Sequence, residues 1–541
     1  MMRVLPFALV SLILAVPIAQ ADKLAKYKPP QSFEVTEDFY VIEGAGLFQA
    51  GNENALDINM WKGSDREDIT QLVKDFPVNS KNPVVRNMIE AVLLSESDTE
   101  KLDDHDEVLP GDDLLTLRIY RLMEGGFFRD ALELYSVAIE SPHHEAIAKA
   151  GILAMLGSGE KSIACLEMKT LGNMNMGDPF WPTFMAYCNY TLSDRPSEDA
   201  QKILENSSYD IVRSLAFNPN FVFPFIPNDW KELSVLEQNV LIAEDRIEAP
   251  VIDNSLLSQL SPHDLAVLLM LKTFNVNDRI KLQIKGFDWG LVSLQDLKDS
   301  YANKETKGDL PQLYRELATS DDAVRQNEIL RQVIDQHKKH QDAALLPFAS
   351  HLGESALDDI DSNDMKRILK LFYLADVTVG PSIIENYIEN SEEKIGNDDF
   401  YVTMQAIPLV LKMPKSHDFV KNMQNIGIFH KNIQNQEENV IENLDKESSD
   451  VDNAAKVYEK DLDAAEQKEH DNASKALLEQ LNKLSKRQTL GETVLLSIKL
   501  LSDQSIREAD QELYSDSLDA LNSVKLKEFS RKMAVERLLG D

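Results

Sequence analysis

The sequence predicts an all-α chain built as an α-solenoid, a stack of antiparallel helix pairs entered through a short extended N-terminal arm. Three observations predict it. Glycine and proline number only 21 each in 541 residues, while Leu, Ala, Glu, Lys, Asp and Gln are plentiful, which is helix-forming composition. Apolar residues recur at helical spacing: Leu115, Ile119 and Leu122 make one face, Gly125-Gly126 turn the chain, and Ala131, Tyr135 and Ala138 make a second face. Alanines equivalent to Ala131 return at Ala164 and Ala200, at spacings of 33 and 36 residues.

Taken in chain order, residues 1–21 read as a secretory signal peptide. Arg3 precedes an apolar run from Val4 to Ile18, and Ala19-Gln20-Ala21 offers small residues for cleavage before Asp22. The run is shorter than the ~20 residues a membrane span needs. The residue immediately after the cleavage position is not cysteine, and no later apolar run exceeds roughly eight residues. The expected mature protein is therefore exported without a transmembrane anchor: periplasmic in a Gram-negative host, or secreted. Its 520 residues carry 55 basic and 91 acidic side chains once Arg3 leaves with the leader, a net charge of −36. So negative a surface repels phosphate backbones and anionic lipid headgroups, which argues against nucleic acid and membrane surfaces; it reads as solubility or adaptation to salt, with a basic partner or a cation-rich medium as the sharper alternative.

Residues 22–81 read as an N-terminal arm, partly extended: Phe33 to Ile42 alternates like a strand, a hairpin is expected, and Gly44-Ala45-Gly46 breaks the run. Regular helices are expected from Asn82-Pro83, where Asn caps and Pro takes the first turn. An acidic loop, Asp103 to Glu107, leads through Pro110-Gly111 to the next helix. In residues 82–217, small, aromatic and small residues at successive helical steps let two helices approach closely. The segment from Asp112 to about Ser207 resembles a tetratricopeptide-type array, whose period is about 34 residues. The tryptophan of that family is missing from its first-helix position here. The resemblance implies tandem helix pairs with a concave binding face, and the overall look is similar to secreted helical-repeat proteins of Gram-negative bacteria.

Further helical repeats are expected over 218–431. Asn218 to Pro227 forms a proline- and aromatic-rich connector. Ser261-Pro262 starts a helix through Ala266 to Leu271 that is apolar on nearly all sides and so should be central. Amphipathic helices follow at Ile329 to Ile334, at Met365 to Leu374 after the capping run Asp361 to Asp364, and at Val402 to Leu411 with Pro408 as a kink. Residues 432–475 are too polar to bury a core by themselves and read as a charged insertion, partly disordered or helical. Residues 476–541 regain periodicity and read as C-terminal helices capping the array.

Two cysteines remain, Cys165 and Cys188, and in an oxidising compartment they are expected to bridge neighbouring helices, contributing about 3 kcal/mol in the chain-entropy account. Chemistry beyond that is sparse. Gly44-x-Gly46 lacks the later glycine and lysine of a phosphate loop, and Gly157-Ser158-Gly159 lacks the spacing of a hydrolase elbow and reads as a turn. His337, His340 and Asp342 share a solvated helix face, and His143-His144-Glu145 opens a helix. Asp359-x-Asp361-x-Asn363 starts like a calcium loop, but Asp364 and Lys370 stand where glycine and glutamate are needed. Exported helical superstructures also occur in lytic transglycosylases, whose catalytic glutamate precedes a serine; Glu96-Ser97 and Glu354-Ser355 show that pair without the rest of the motif. No catalytic, cofactor or metal residue is assigned. The expected function is a non-catalytic scaffold or adaptor for envelope proteins or peptides, the alternative a peptidoglycan-acting enzyme subunit. In a eukaryotic secretory route Asn189-x-Thr191 and Asn206-x-Ser208 would be glycan acceptors.

Overall fold

The computed structural model describes residues 33–34, 37–102, 107–108, 111–138, 144–171, 177–193, 195–336, 342–355, 357, 360–377, 477–487, 489–502 and 511–539, with isolated positions between 383 and 410. It is predominantly helical. The arm departs from the sequence expectation. Only Phe33–Glu34 (β1) is extended, paired antiparallel with Glu107–Val108 (β2), and the alternating stretch after it forms helix α1, Glu37–Glu43. No local hairpin forms, because β1 finds its partner more than seventy residues away. Helix α2, Arg66–Asp75, also falls inside the arm, started by Asp65, whose carboxylate accepts from the Glu67 and Asp68 amides.

Helix α3, Pro83–Leu94, begins as its sequence predicts, with Asn82 accepting from the Val84 and Val85 amides. The next segment runs through α4 (Leu114–Glu124), α5 (Phe128–Ala138), α6 (Glu145–Gly157), α7 (Lys161–Leu171), α8 (Phe180–Leu192), α9 (Glu198–Glu205) and α10 (Asp210–Phe217). Each packs on its neighbour in sequence, and α6 also packs on α4, and α10 on α8. Ala131, Ala164 and Ala200 are all buried, one on each of α5, α7 and α9. Tyr135 lays its ring over Gly151 of α6, where any Cβ would overlap it, so small and aromatic residues do bring these helices close. Gly126 turns α4 into α5 at φ +86°, and its missing side chain leaves room for Ala266.

The connector after α10 pairs Phe223–Pro224 (β3) in parallel with Ile247–Glu248 (β4) around α11 (Pro227–Glu232) and α12 (Val235–Ala243). Phe225 and Trp230 are buried there with rings 5.5 Å apart. Helices α13 (Asn254–Gln259) and α14 (Pro262–Met270) follow, and α14 buries Leu265, Ala266, Val267 and Leu268 as its all-round apolar sequence predicts. Beyond them come α15 (Val276–Asp288), α16 (Leu294–Ala302), α17 (Asp309–Thr319), α18 (Ala323–Asp335), α19 (Asp342–Leu345), α20 (Ala349–Glu354) and α21 (Ser362–Ala375). Asp361 caps α21 through the Asp364 amide. The helix expected at Val402 to Leu411 and the charged stretch 432–475 lie wholly or mostly outside the described residues.

Three apolar clusters form among the described residues: the first runs from Leu56 to Leu282, the second from Ile280 to Ile407, the two meeting at α15, and a small third one joins Leu481, Leu484, Leu496, Leu500 and Ala520. The closing helices are α22 (477–487), α23 (Leu490–Ser502), α24 (Gln511–Ser523) and α25 (Lys527–Leu539). Helix α23 packs on α2 and α3, and α25 packs on α3 and α21. The Gly491 amide donates to the Met60 carbonyl, and the Trp61 ring lies where a Gly491 side chain would be. Val494 and Phe529 join the first core while Val535 and Leu539 join the second. The physical reason is the apolarity of α23, which buries ten of its thirteen residues and so needs partners on more than one side.

Candidate functional site

Most residues singled out in the sequence have local structural work. Cys165 on α7 and Cys188 on α8 are bonded, with Cα atoms 5.5 Å apart. Glu145 opens α6 and accepts from Trp181 Nε1 at 2.7 Å. Ser158 occupies the turn between α6 and α7 and donates to the Phe128 carbonyl. Glu96 follows α3 with its amide on the Phe48 carbonyl, and Glu354 is exposed at the end of α20. His337, His340, His143, Asp359 and Asp103 to Asp106 lie outside the described residues. Among the described residues no group of three or more His, Cys, Asp or Glu could hold a metal ion.

The densest buried chemistry lies where the arm meets the first core. Glu43, at the end of α1, is wholly buried and receives both Arg66 guanidinium nitrogens at 2.6 and 2.9 Å and the Leu114 amide at 2.8 Å. Arg118 of α4 donates to the Leu93 and Ser95 carbonyls at 2.7 and 3.1 Å. Burial lowers its pKa to about 10, against the pull of Glu43. Asp113 caps α4 through the Thr116 amide, and burial, reinforced by the Glu43 charge, raises its carboxyl to about 6. Closed to solvent, this cluster fastens α1 and α2 to α4; it is not a substrate site. Losing Arg66 would strand the buried Glu43 charge.

An open site lies where α3, α21 and α25 converge: a cavity of about 280 Å³ whose charged lining is Glu53, Arg86, Asp376, Glu528, Arg531 and Lys532. Arg86 comes from the first turn of α3. Its Nη1 donates to the Asp288 carbonyl at 2.9 Å, and its stem fills the space a side chain on Gly290 would take. Burial lowers its pKa, while Glu90 and other neighbours oppose the shift. Arg531 holds Glu528 in a two-pronged contact at 3.0 and 2.5 Å, which raises the Arg531 pKa. Tyr373 is pushed well above its ordinary pKa by burial and then by Glu536, so it stays a neutral hydroxyl. Phe372 and Leu374 add an apolar wall. Asp376 ends α21 in the left-handed region, at φ 45° and ψ 45°, a conformation that glycine, asparagine and aspartate adopt most readily.

A third feature is an exposed apolar surface. Ile163 and Leu166, one helical step apart on α7, are 50% and 62% exposed on either side of the disulfide residue Cys165, and Val137 of α5 is 57% exposed. The sequence reading missed the cavity entirely. Its charged groups lie at positions 53, 86, 376 and 528 to 532, and no spacing rule joins them; the one local signal was an aspartate where α21 must end. Comparison with known protein families, characterised proteins and solved structures finds no match.

Proposed function

We propose that the protein is an exported, non-catalytic helical-repeat scaffold that binds protein or peptide partners in the cell envelope. We read α4 to α10 as antiparallel, tetratricopeptide-like pairs of a solenoid, a reading supported by neighbour-on-neighbour packing and by the buried alanines of α5, α7 and α9. The observation that carries the function is the outward pair Ile163 and Leu166 on a helix covalently tied to α8. Large apolar side chains held outward by a rigid pair suit a docking face, since ordering cost has been met before the partner arrives. The disulfide supports an oxidising destination, and among the described residues no helix is long and apolar enough to cross a membrane. The net charge favours a partner with basic groups around its apolar anchors.

Crosslinking in the native host, with the protein recovered from the envelope fraction, tests this reading. The expected result is a reproducible protein partner joined at α5 or α7 and lost in Leu166→Asp, a change at an exposed position that leaves the fold intact. Recovery of the protein alone, or of wall fragments only, would overturn the scaffold and turn attention to the peptidoglycan-acting alternative.

A further inference from the structure

We propose that the cavity between α3, α21 and α25 binds a small zwitterion of amino-acid or dipeptide size, its carboxylate facing Arg86, Arg531 and Lys532 and its ammonium facing Asp376 and Glu53. This goes beyond the scaffold reading and rests on different residues. The volume of about 280 Å³ lies near the lower end of small-molecule sites.

Charge decides the ligand class. The whole chain has 91 acidic against 56 basic side chains, yet the cavity lining holds three of each. A site for a bare cation would not place two arginines and a lysine on its wall, and a site for a phosphate-like anion would not oppose it with carboxylates. A ligand carrying both charges is complementary to both. Glu528 shares α25 with Arg531 and Lys532 and is held by Arg531, whereas the other two carboxylates come from other elements. Arg86, Arg531 and Lys532 stand on α3 and α25, whereas Asp376 stands at the end of α21 and Glu53 on the loop before α2. Arg86 is fixed by the Asp288 carbonyl and Arg531 by Glu528, so both guanidinium groups are held in place without a ligand. Phe372 and Leu374 would receive an apolar side chain.

Asp376 ends α21 in the left-handed region, which aspartate tolerates, and so brings a carboxylate to the cavity lining. Replacing it also makes a clean test, because glycine adopts φ 45° without strain and the fold should survive.

The experiment is calorimetric titration of the full mature chain with glycyl-leucine, with N-acetylglycyl-leucine, which lacks the ammonium, and with glycyl-leucinamide, which lacks the carboxylate. Glycyl-leucine is expected to bind one to one, and each blocked analogue at least about tenfold more weakly. Asp376→Gly should weaken glycyl-leucine binding about tenfold with an equal or higher melting temperature, and Asp376→Asn should do the same. No heat from glycyl-leucine at millimolar concentration would overturn the proposal. So would equal binding of the acetylated analogue, which would mark a plain anion site, or unchanged binding in Asp376→Gly.

Discussion

The helices from α4 to α10 and the closure of α2, α3, α23 and α25 are both tightly packed, but they are assembled in opposite ways. In the first region each helix meets its neighbours in sequence, turns are short, and the Cys165–Cys188 bridge spans a separation of only 23 residues. In the second, residues 60–94 meet residues 490–539, and the contact is an indole laid over a glycine. Local packing repeats a small pattern that any stretch of the chain can carry. Closure needs two distant stretches to be complementary, and the entropy of bringing them together has to be recovered by a large buried area.

The sharpest way to break the contrast is Trp61→Ala. The ring is almost wholly buried against Gly491, so its loss should cost about 3–5 kcal/mol in urea unfolding and detach the C-terminal helices first. A loss below about 1 kcal/mol would mean that the closure contributes little. The local region has its own test in the double change Cys165→Ala with Cys188→Ala. The oxidised parent should exceed it by about 3 kcal/mol, and adding reductant to the parent should reproduce the deficit.

The smallest effect concerns pH. Asp113 ordinarily titrates near 3.8, and burial raises it to about 6 in the fold, so the native state holds this proton more tightly than the unfolded chain. The stability this group contributes is present at low pH and declines as pH rises from about 4 to about 6, leaving its full penalty above that window. Asparagine keeps the cap and removes the charge. Asp113→Asn should therefore be at least as stable as the parent at pH 7, and its advantage should shrink by about 1 kcal/mol on going to pH 5, measured as parallel urea midpoints. An equal advantage at both pH values would show that Asp113 is ionised in the fold throughout.

The cavity sits beside the closure rather than in the repeat-like region, which explains why it was invisible in the sequence. Each of its charged residues looks, in its own segment, like an ordinary solvated side chain of an acidic protein. Only the joining of α25 to α3 and α21 gives Arg86, Asp376 and Arg531 a shared space. The disulfide, by contrast, was legible because both cysteines belong to adjacent helices of one local pattern.

By itself the sequence determined helical content, the caps at Asn82 and Asp361, the turn at Gly125-Gly126, the central α14 and the pairing of the two cysteines. These follow from composition, apolar spacing and short-range hydrogen bonding, whose reach is a few residues. The tertiary structure decided the rest: α1 in place of a strand, the Glu43 to Arg118 cluster, the join of two cores at α15, the return of α23 to α3, and the cavity. Each depends on groups brought together from far apart in the chain, and residual charge or apolarity on one helix does not say which distant helix will satisfy it.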